Sequence, residues 1–170
     1  MLPTINFQNK MKHWFLKWNK FFLKNSMWFN IVIFYSFSYV IVIVGLPGFL
    51  LLDEIIGENN SGPDIKGWVG FFAAVIVAPL FETWLCQYLI FRIGKKFKIQ
   101  NGWILLMSAI WFGVNHLYSP QYIWFGFLLG LVFGYGYYLY KSVPSKAFWF
   151  VTGIHLLHNL TSFIIVTFAE

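Results

Sequence analysis

Ala78-Pro-Leu-Phe-Glu82-Thr-Trp-Leu-Cys86-Gln87-Tyr-Leu-Ile-Phe91 ends a 25-residue run, residues 67–91, in which Glu82 is the only Asp, Glu, Lys or Arg. A helix of ~20 apolar residues is enough to cross a bilayer. A carboxylate in its interior costs at least ~2.5 kcal/mol on insertion scales, so it faces a bundle interior or a water-filled cavity, where it has a partner. The polar residues of the other apolar stretches that could serve are few: Gln87, His116, His155, His158 and Asn159.

The whole chain agrees with that reading. Of its 170 residues 59% are apolar, 23% aromatic and only 11% charged, whereas about a quarter of a soluble domain is charged. The net charge of +6 does not indicate a nucleic-acid partner, because the basic residues flank apolar spans and do not line a soluble face. A single cysteine, Cys86, excludes an internal disulfide.

Outward from Glu82, four more apolar stretches emerge. Residues 28–52 are uncharged, with Gly45, Pro47 and Gly48 placed to kink or stop a helix near the end. A polar loop at residues 53–66 holds Asp53, Glu54, Glu58 and Asp64 and a turn signal at Asn59-Asn60-Ser61-Gly62-Pro63. Residues 99–140 lack charge over 42 positions. That is two crossings, divided at Tyr118-Ser119-Pro120-Gln121, since proline begins helices well and ends them badly. The third and fourth spans are then residues 102–117 and 121–140, and the fifth is residues 147–169. Before all of these, residues 1–25 interleave Lys10, Lys12, Lys17, Lys20 and Lys24 with Met11, Trp14, Phe15, Trp18, Phe21 and Phe22. This predicts an amphipathic helix on the membrane surface, more than a flexible tail or a cleavable signal. The fold expected is an all-α polytopic membrane bundle of about five transmembrane helices with a basic N-terminal segment, residues 1–27, ahead of a membrane domain, residues 28–170.

With the N-terminus in the cytoplasm, eleven of the twelve Lys and Arg residues fall on cytoplasmic segments, Lys66 being the exception, and every acidic residue but Glu82 falls outside. The positive-inside rule therefore predicts an integral protein, N-terminus in and C-terminus out, in the cell membrane. Gly126, Gly130 and Gly134 form a strict four-residue stripe, the pattern of a close helix contact within the monomer more than of a dimer face.

Three polar groups are candidates for chemistry: Glu82 with Thr83 and Gln87; Asn115-His116; and His155-Leu-Leu-His158-Asn159. His155 and Asn159 share a helical face. Counted from the charged flank of each span, Glu82 is ~15 Å deep, His155 ~12 Å and His116 ~21 Å. A straight third span therefore carries His116 too deep. One carboxylate, two imidazoles and an amide suit a general base that activates water and donors to an oxyanion. They suit equally a divalent metal such as zinc, held by Glu82, His116 and His155. His158 is expected beside the site or in packing, Cys86 as a small core residue. His13 belongs to the basic surface.

Glu82, Phe112-Gly-Val-Asn-His116 and His155-Leu-Leu-His-Asn159 resemble the three ordered motifs of the CAAX-protease and bacteriocin-processing (CPBP/Abi) family of intramembrane proteases, over a motif core of residues 78–163. The resemblance implies an endopeptidase acting on a membrane-associated protein or peptide within the lipid bilayer. Glu82 would activate water, His116 would help hold it, and His155 and Asn159 would stabilise the oxyanion. A metal-free site is the preferred form. The first motif departs from the family pattern: Thr83 stands in place of a second glutamate and Gln87 in place of an arginine. A neutral Thr83–Gln87 hydrogen bond is the expected substitute for that ion pair, since the two lie four apart on a helix. The rival readings are a non-catalytic immunity or interaction protein of the same fold and a proton-coupled transporter, the latter weakened by the lack of a visible internal repeat.

Overall fold

The computed structural model describes residues 7–57 and 67–169, and these are helical throughout, with no strand among them. Seven helices follow in order: α1 (Phe7–Lys24), α2 (Met27–Val44), α3 (Leu46–Ile56), α4 (Gly67–Lys96), α5 (Asn101–Val114), α6 (Pro120–Tyr140) and α7 (Pro144–Ala169). The turn signal at residues 59–63 and Lys66 lie outside the described residues.

Four helices, α2, α4, α6 and α7, are long and apolar enough to cross a membrane. Their outward residues are apolar too. Val32, Val69, Val77 and Phe168 are exposed, as in helices whose solvent is hydrocarbon. The expected third span is shorter than drawn. α5 stops at Val114 after 14 residues, ~21 Å at the helical rise, less than the ~30 Å hydrocarbon layer. The bundle therefore has four full-length spans and one short apolar helix. The first span is divided as its glycines and proline suggest: α2 ends at Gly45, and α3 begins with Pro47 in its first turn. α3 continues through Asp53 and Glu54, expected in a loop, to Gly57, whose φ of +92° ends it.

Helix α6 is the centre of the bundle and touches α1, α2, α3, α4, α5 and α7. Ser119 caps its start, its Oγ accepting from Tyr122 N at 3.1 Å. The glycine stripe is the seam against α5. A Cβ on Gly130 would stand 2.8 Å from Ala109 Cα, and one on Gly126 3.1 Å from Gly113 Cα. No side chain fits between those backbones, which is the close approach small residues permit.

Helix α1 is docked and not free. Phe22 is buried against Phe34 and Tyr135. Asn30 donates to Phe22 O and Tyr140 Oη, both at 2.6 Å. Tyr135 donates to Asn19 Oδ1 at 2.9 Å.

Charge separates along the bundle. At one end Lys95 Nζ donates to Lys141 O at 2.8 Å, joining the ends of α4 and α6. At the other end of α6, Gln121 donates to Asp53 Oδ1 at 2.7 Å. Basic Arg92, Lys95, Lys96, Lys98, Lys141 and Lys146 thus gather opposite Asp53 and Glu54. Burial, and secondarily the charge of Lys95, pulls the Lys141 ammonium down to about 8.

Candidate active site

Glu82 belongs to a helix that twice departs from α-helical hydrogen bonding. Residues Phe72–Val77 and Thr83–Leu89 are π-helical, with bonds from residue i+5 to residue i. Such insertions are rare and concentrate at functional sites. They flank the short α-helical piece Ala78–Glu82. Ala78 N–H bonds to Ala73 O, five residues back. The next donor in that register would serve Ala74 O, but residue 79 is proline and has no N–H. Asn159 of α7 fills the gap, its Nδ2 donating to Ala74 O at 2.8 Å.

The two histidines arrive from different helices on one carboxylate oxygen. Glu82 Oε2 lies 3.6 Å from His155 Nε2 and 3.9 Å from His116 Nε2. Both separations exceed a direct hydrogen bond. They leave the span of one small molecule bonded to all three groups. The Glu82 side chain keeps 24% of its exposure while His155 keeps 4%, although Glu82 Oε2 itself is buried.

Packing fixes both rings. His155 lies between Phe133 and Phe112, centroids 4.7 and 5.4 Å away. His116 rests against Phe112 and Tyr122 at 4.8 and 5.6 Å. His116 Nδ1 is 2.7 Å from Phe112 O. A carbonyl only accepts, so Nδ1 carries the hydrogen. In the neutral ring Nε2 is then a lone pair aimed at Glu82.

The depth mismatch in the sequence is resolved by where α4 ends. It runs to Lys96 and does not stop near Phe91, so Glu82 is fourteen residues from its end, as His116 is from Gly102. Arg92, Lys95 and Lys96 continue the helix because long basic side chains reach water from inside an interface.

The other expected site residues sort themselves plainly. Asn159 is tied to Ala74, two turns before Glu82, and is not at the Glu82–histidine cluster itself. His158 is a packing residue: Nδ1 meets Ser38 Oγ at 2.9 Å and its ring stacks on Tyr39 at 4.8 Å. Cys86 is fully buried, and Ser108 Oγ donates to its carbonyl at 2.8 Å. The expected Thr83–Gln87 hydrogen bond is not formed. Thr83 Oγ1 and both Gln87 amide atoms are buried without partners. Both residues lie in the π-helical stretch Thr83–Leu89.

The chain matches the family described as type II CAAX prenyl endopeptidase, Rce1-like, over residues 64–161, more than half its length. It belongs to that family. No curated protein and no solved structure matches it.

In this Rce1-like chain the matched region, residues 64–161, includes Glu82, His116, His155 and Asn159. It also holds two contributors that the sequence did not single out for the site. Pro79 creates the acceptor that Asn159 satisfies, and its signal was a proline three residues before the only carboxylate of α4. Gly126 makes room for His116, since a Cβ there would stand 3.2 Å from His116 Nδ1.

A divalent metal would need Glu82, His116 and His155 as ligands. Among the described residues no three His, Cys, Asp or Glu are arranged to hold a metal. A metal-bound histidine gives its other ring N–H to an acceptor. His116 does so, but His155 Nδ1 is buried without a partner.

Proposed function

We propose that this protein is an intramembrane endopeptidase that hydrolyses a peptide bond in a membrane-associated protein or peptide, with Glu82 as the base that activates water. The observation that carries the reading is the single Glu82 oxygen faced by two imidazole nitrogens at 3.6 and 3.9 Å. Membership of the Rce1-like family supports a prenylated substrate class.

A water molecule seated among the three groups gives one hydrogen to Glu82 Oε2 and the other to His116 Nε2, leaving a lone pair for the scissile carbonyl. Glu82 takes the first proton as the C–O bond forms. The carbonyl oxygen becomes an oxyanion, stabilised by an N–H at His155 Nε2. Glu82 then returns its proton to the leaving nitrogen as the C–N bond breaks. Water is added across the peptide bond, and the site returns to its starting state. We read the basic end of the bundle as the cytoplasmic one.

The test is cleavage. Purified wild type and Glu82→Ala in lipid nanodiscs meet a panel of prenylated and unprenylated membrane peptides, with products read by mass spectrometry. Cleavage of prenylated peptides by wild type alone supports the reading. Equal processing by both proteins, or none by either with both well folded, counts against it and favours a binding or immunity role.

A further inference from the structure

Beside Glu82 are polar atoms that no group of the described residues satisfies. Thr83 Oγ1, Gln87 Oε1 and Nε2, Thr152 Oγ1 and His155 Nδ1 are all buried without a hydrogen-bond partner, as is Glu82 Oε2. Thr83 and Gln87 are 0% exposed, and Thr152 and His155 each 3%. Asn30 and Gln121, by contrast, leave an oxygen over but bond through their nitrogens. Gln87 bonds through neither end. A dry amide in a membrane helix carries its full desolvation cost, and buried polar side chains are almost always satisfied by protein or ordered water.

These atoms fall on facing turns of α4 and α7. Phe71 packs on Phe163, Ala74 on Asn159 and Glu82 on His155, so α4 and α7 run antiparallel. Thr152 is one turn before His155. It therefore sits opposite the turn that follows Glu82, the turn carrying Thr83 and Gln87. The pairing of the two helices thus puts the unsatisfied groups on facing turns beside the catalytic carboxylate, a seam between α4 and α7. Phe91 and Tyr137, centroids 4.8 Å apart, close the bundle beyond Gln87.

We propose that this seam is a water site: about two ordered water molecules, at ~3 hydrogen bonds each, held by Thr83, Gln87, Thr152 and His155 Nδ1 behind Glu82. The chemistry selects the occupant. Two hydroxyls, one amide and one imidazole nitrogen offer donors and acceptors in mixture, with no formal charge to attract an ion. Complete burial excludes a peptide chain. The seam is a reservoir reached through Glu82, and it hands that carboxylate a fresh water after each hydrolysis. That last role rests on the protease reading; the hydration of the seam does not.

The sign of a stability change separates a wet seam from a dry one. Thr83→Val and Thr152→Val keep the side-chain shape and remove the hydroxyl, while Thr83→Ser and Thr152→Ser keep the hydroxyl. In a wet seam each valine strips partners from water and neighbours. The unfolding midpoint then falls by several degrees and further than in the serine variants. In a dry seam each valine removes an unmet polar group, and the midpoint rises. A rise or no change for either valine variant overturns the proposal. A second arm measures peptide cleavage by Thr152→Val. A roughly tenfold lower kcat with KM unchanged fits a reservoir that feeds the chemical step, and an unchanged kcat overturns the feeding role. Lowered midpoints with no cleavage by wild type would leave the seam standing and the protease reading fallen.

Discussion

Asn159 donates its side-chain amide to Ala74 O at 2.8 Å, and Ala74 is five residues before Pro79. A helix defect and a motif residue are therefore one device. The π-helical turn and the proline leave a carbonyl open, and the last residue of the third motif closes it. One amide hydrogen of Asn159 is used, which fixes the group.

That coupling is measurable. Asn159→Leu leaves Ala74 O unsatisfied and is expected to destabilise the protein by about 1–3 kcal/mol. In a Pro79→Ala background the restored backbone N–H lets the helix close on itself, and the same substitution should cost less. A double-mutant cycle on unfolding in detergent should return a coupling of at least ~0.5 kcal/mol, the size expected for groups in contact. Additive effects would separate Pro79 from Asn159.

Gly126 positions His116. A Cβ at Gly126 would meet Gly113 Cα at 3.1 Å and His116 Nδ1 at 3.2 Å, while one at Gly134 meets nothing nearer than 3.5 Å. Gly126→Ala is expected to lower kcat about tenfold or more, since ångström displacements at a catalytic group cost up to ~100-fold. Gly134→Ala should stay near wild type. Equal effects of the two would mean that the stripe only packs helices.

The first motif makes a directional prediction. Thr83 is fully buried next to Glu82. Thr83→Glu alone puts a second carboxylate into that space without a partner, a change that costs about 3–5 kcal/mol when a buried charge is left unpaired. Adding Gln87→Arg supplies the opposite charge. Expression and unfolding midpoint should drop for the single variant and recover in the double. Indistinguishable variants would show that positions 83 and 87 are independent.

Much of this architecture was legible in the sequence, and the failures have physical causes. The apolar runs gave the all-α bundle, the kink at Gly45, the turn at Ser119-Pro120 and the role of the glycine stripe, because each rests on local chemistry that tertiary contacts seldom override. Glu82, His116 and His155 were legible as a set, since polar side chains in apolar helices need one another. Helix ends were not. The depth of Glu82 was measured to the first charged residue, but Arg92, Lys95 and Lys96 lengthen α4 instead of ending it. The Thr83–Gln87 bond was expected from α-helical spacing, and Thr83–Leu89 is π-helical. A π-helical turn has no dependable composition signal; Pro79 hints only at its location.

The most direct test of the account is the single-turnover rate of Glu82→Gln on a peptide that wild type cleaves, measured with and without a metal chelator. Glutamine keeps the shape and the hydrogen-bonding reach of Glu82 but cannot take a proton from water. The account predicts a rate at least ~100-fold below wild type, the lower bound for losing a general base, with unchanged peptide binding and no effect of chelator on wild type. A Glu82→Gln enzyme within a few-fold of wild type would contradict Glu82 as the base, and loss of wild-type activity in chelator would replace the metal-free site with a metal centre.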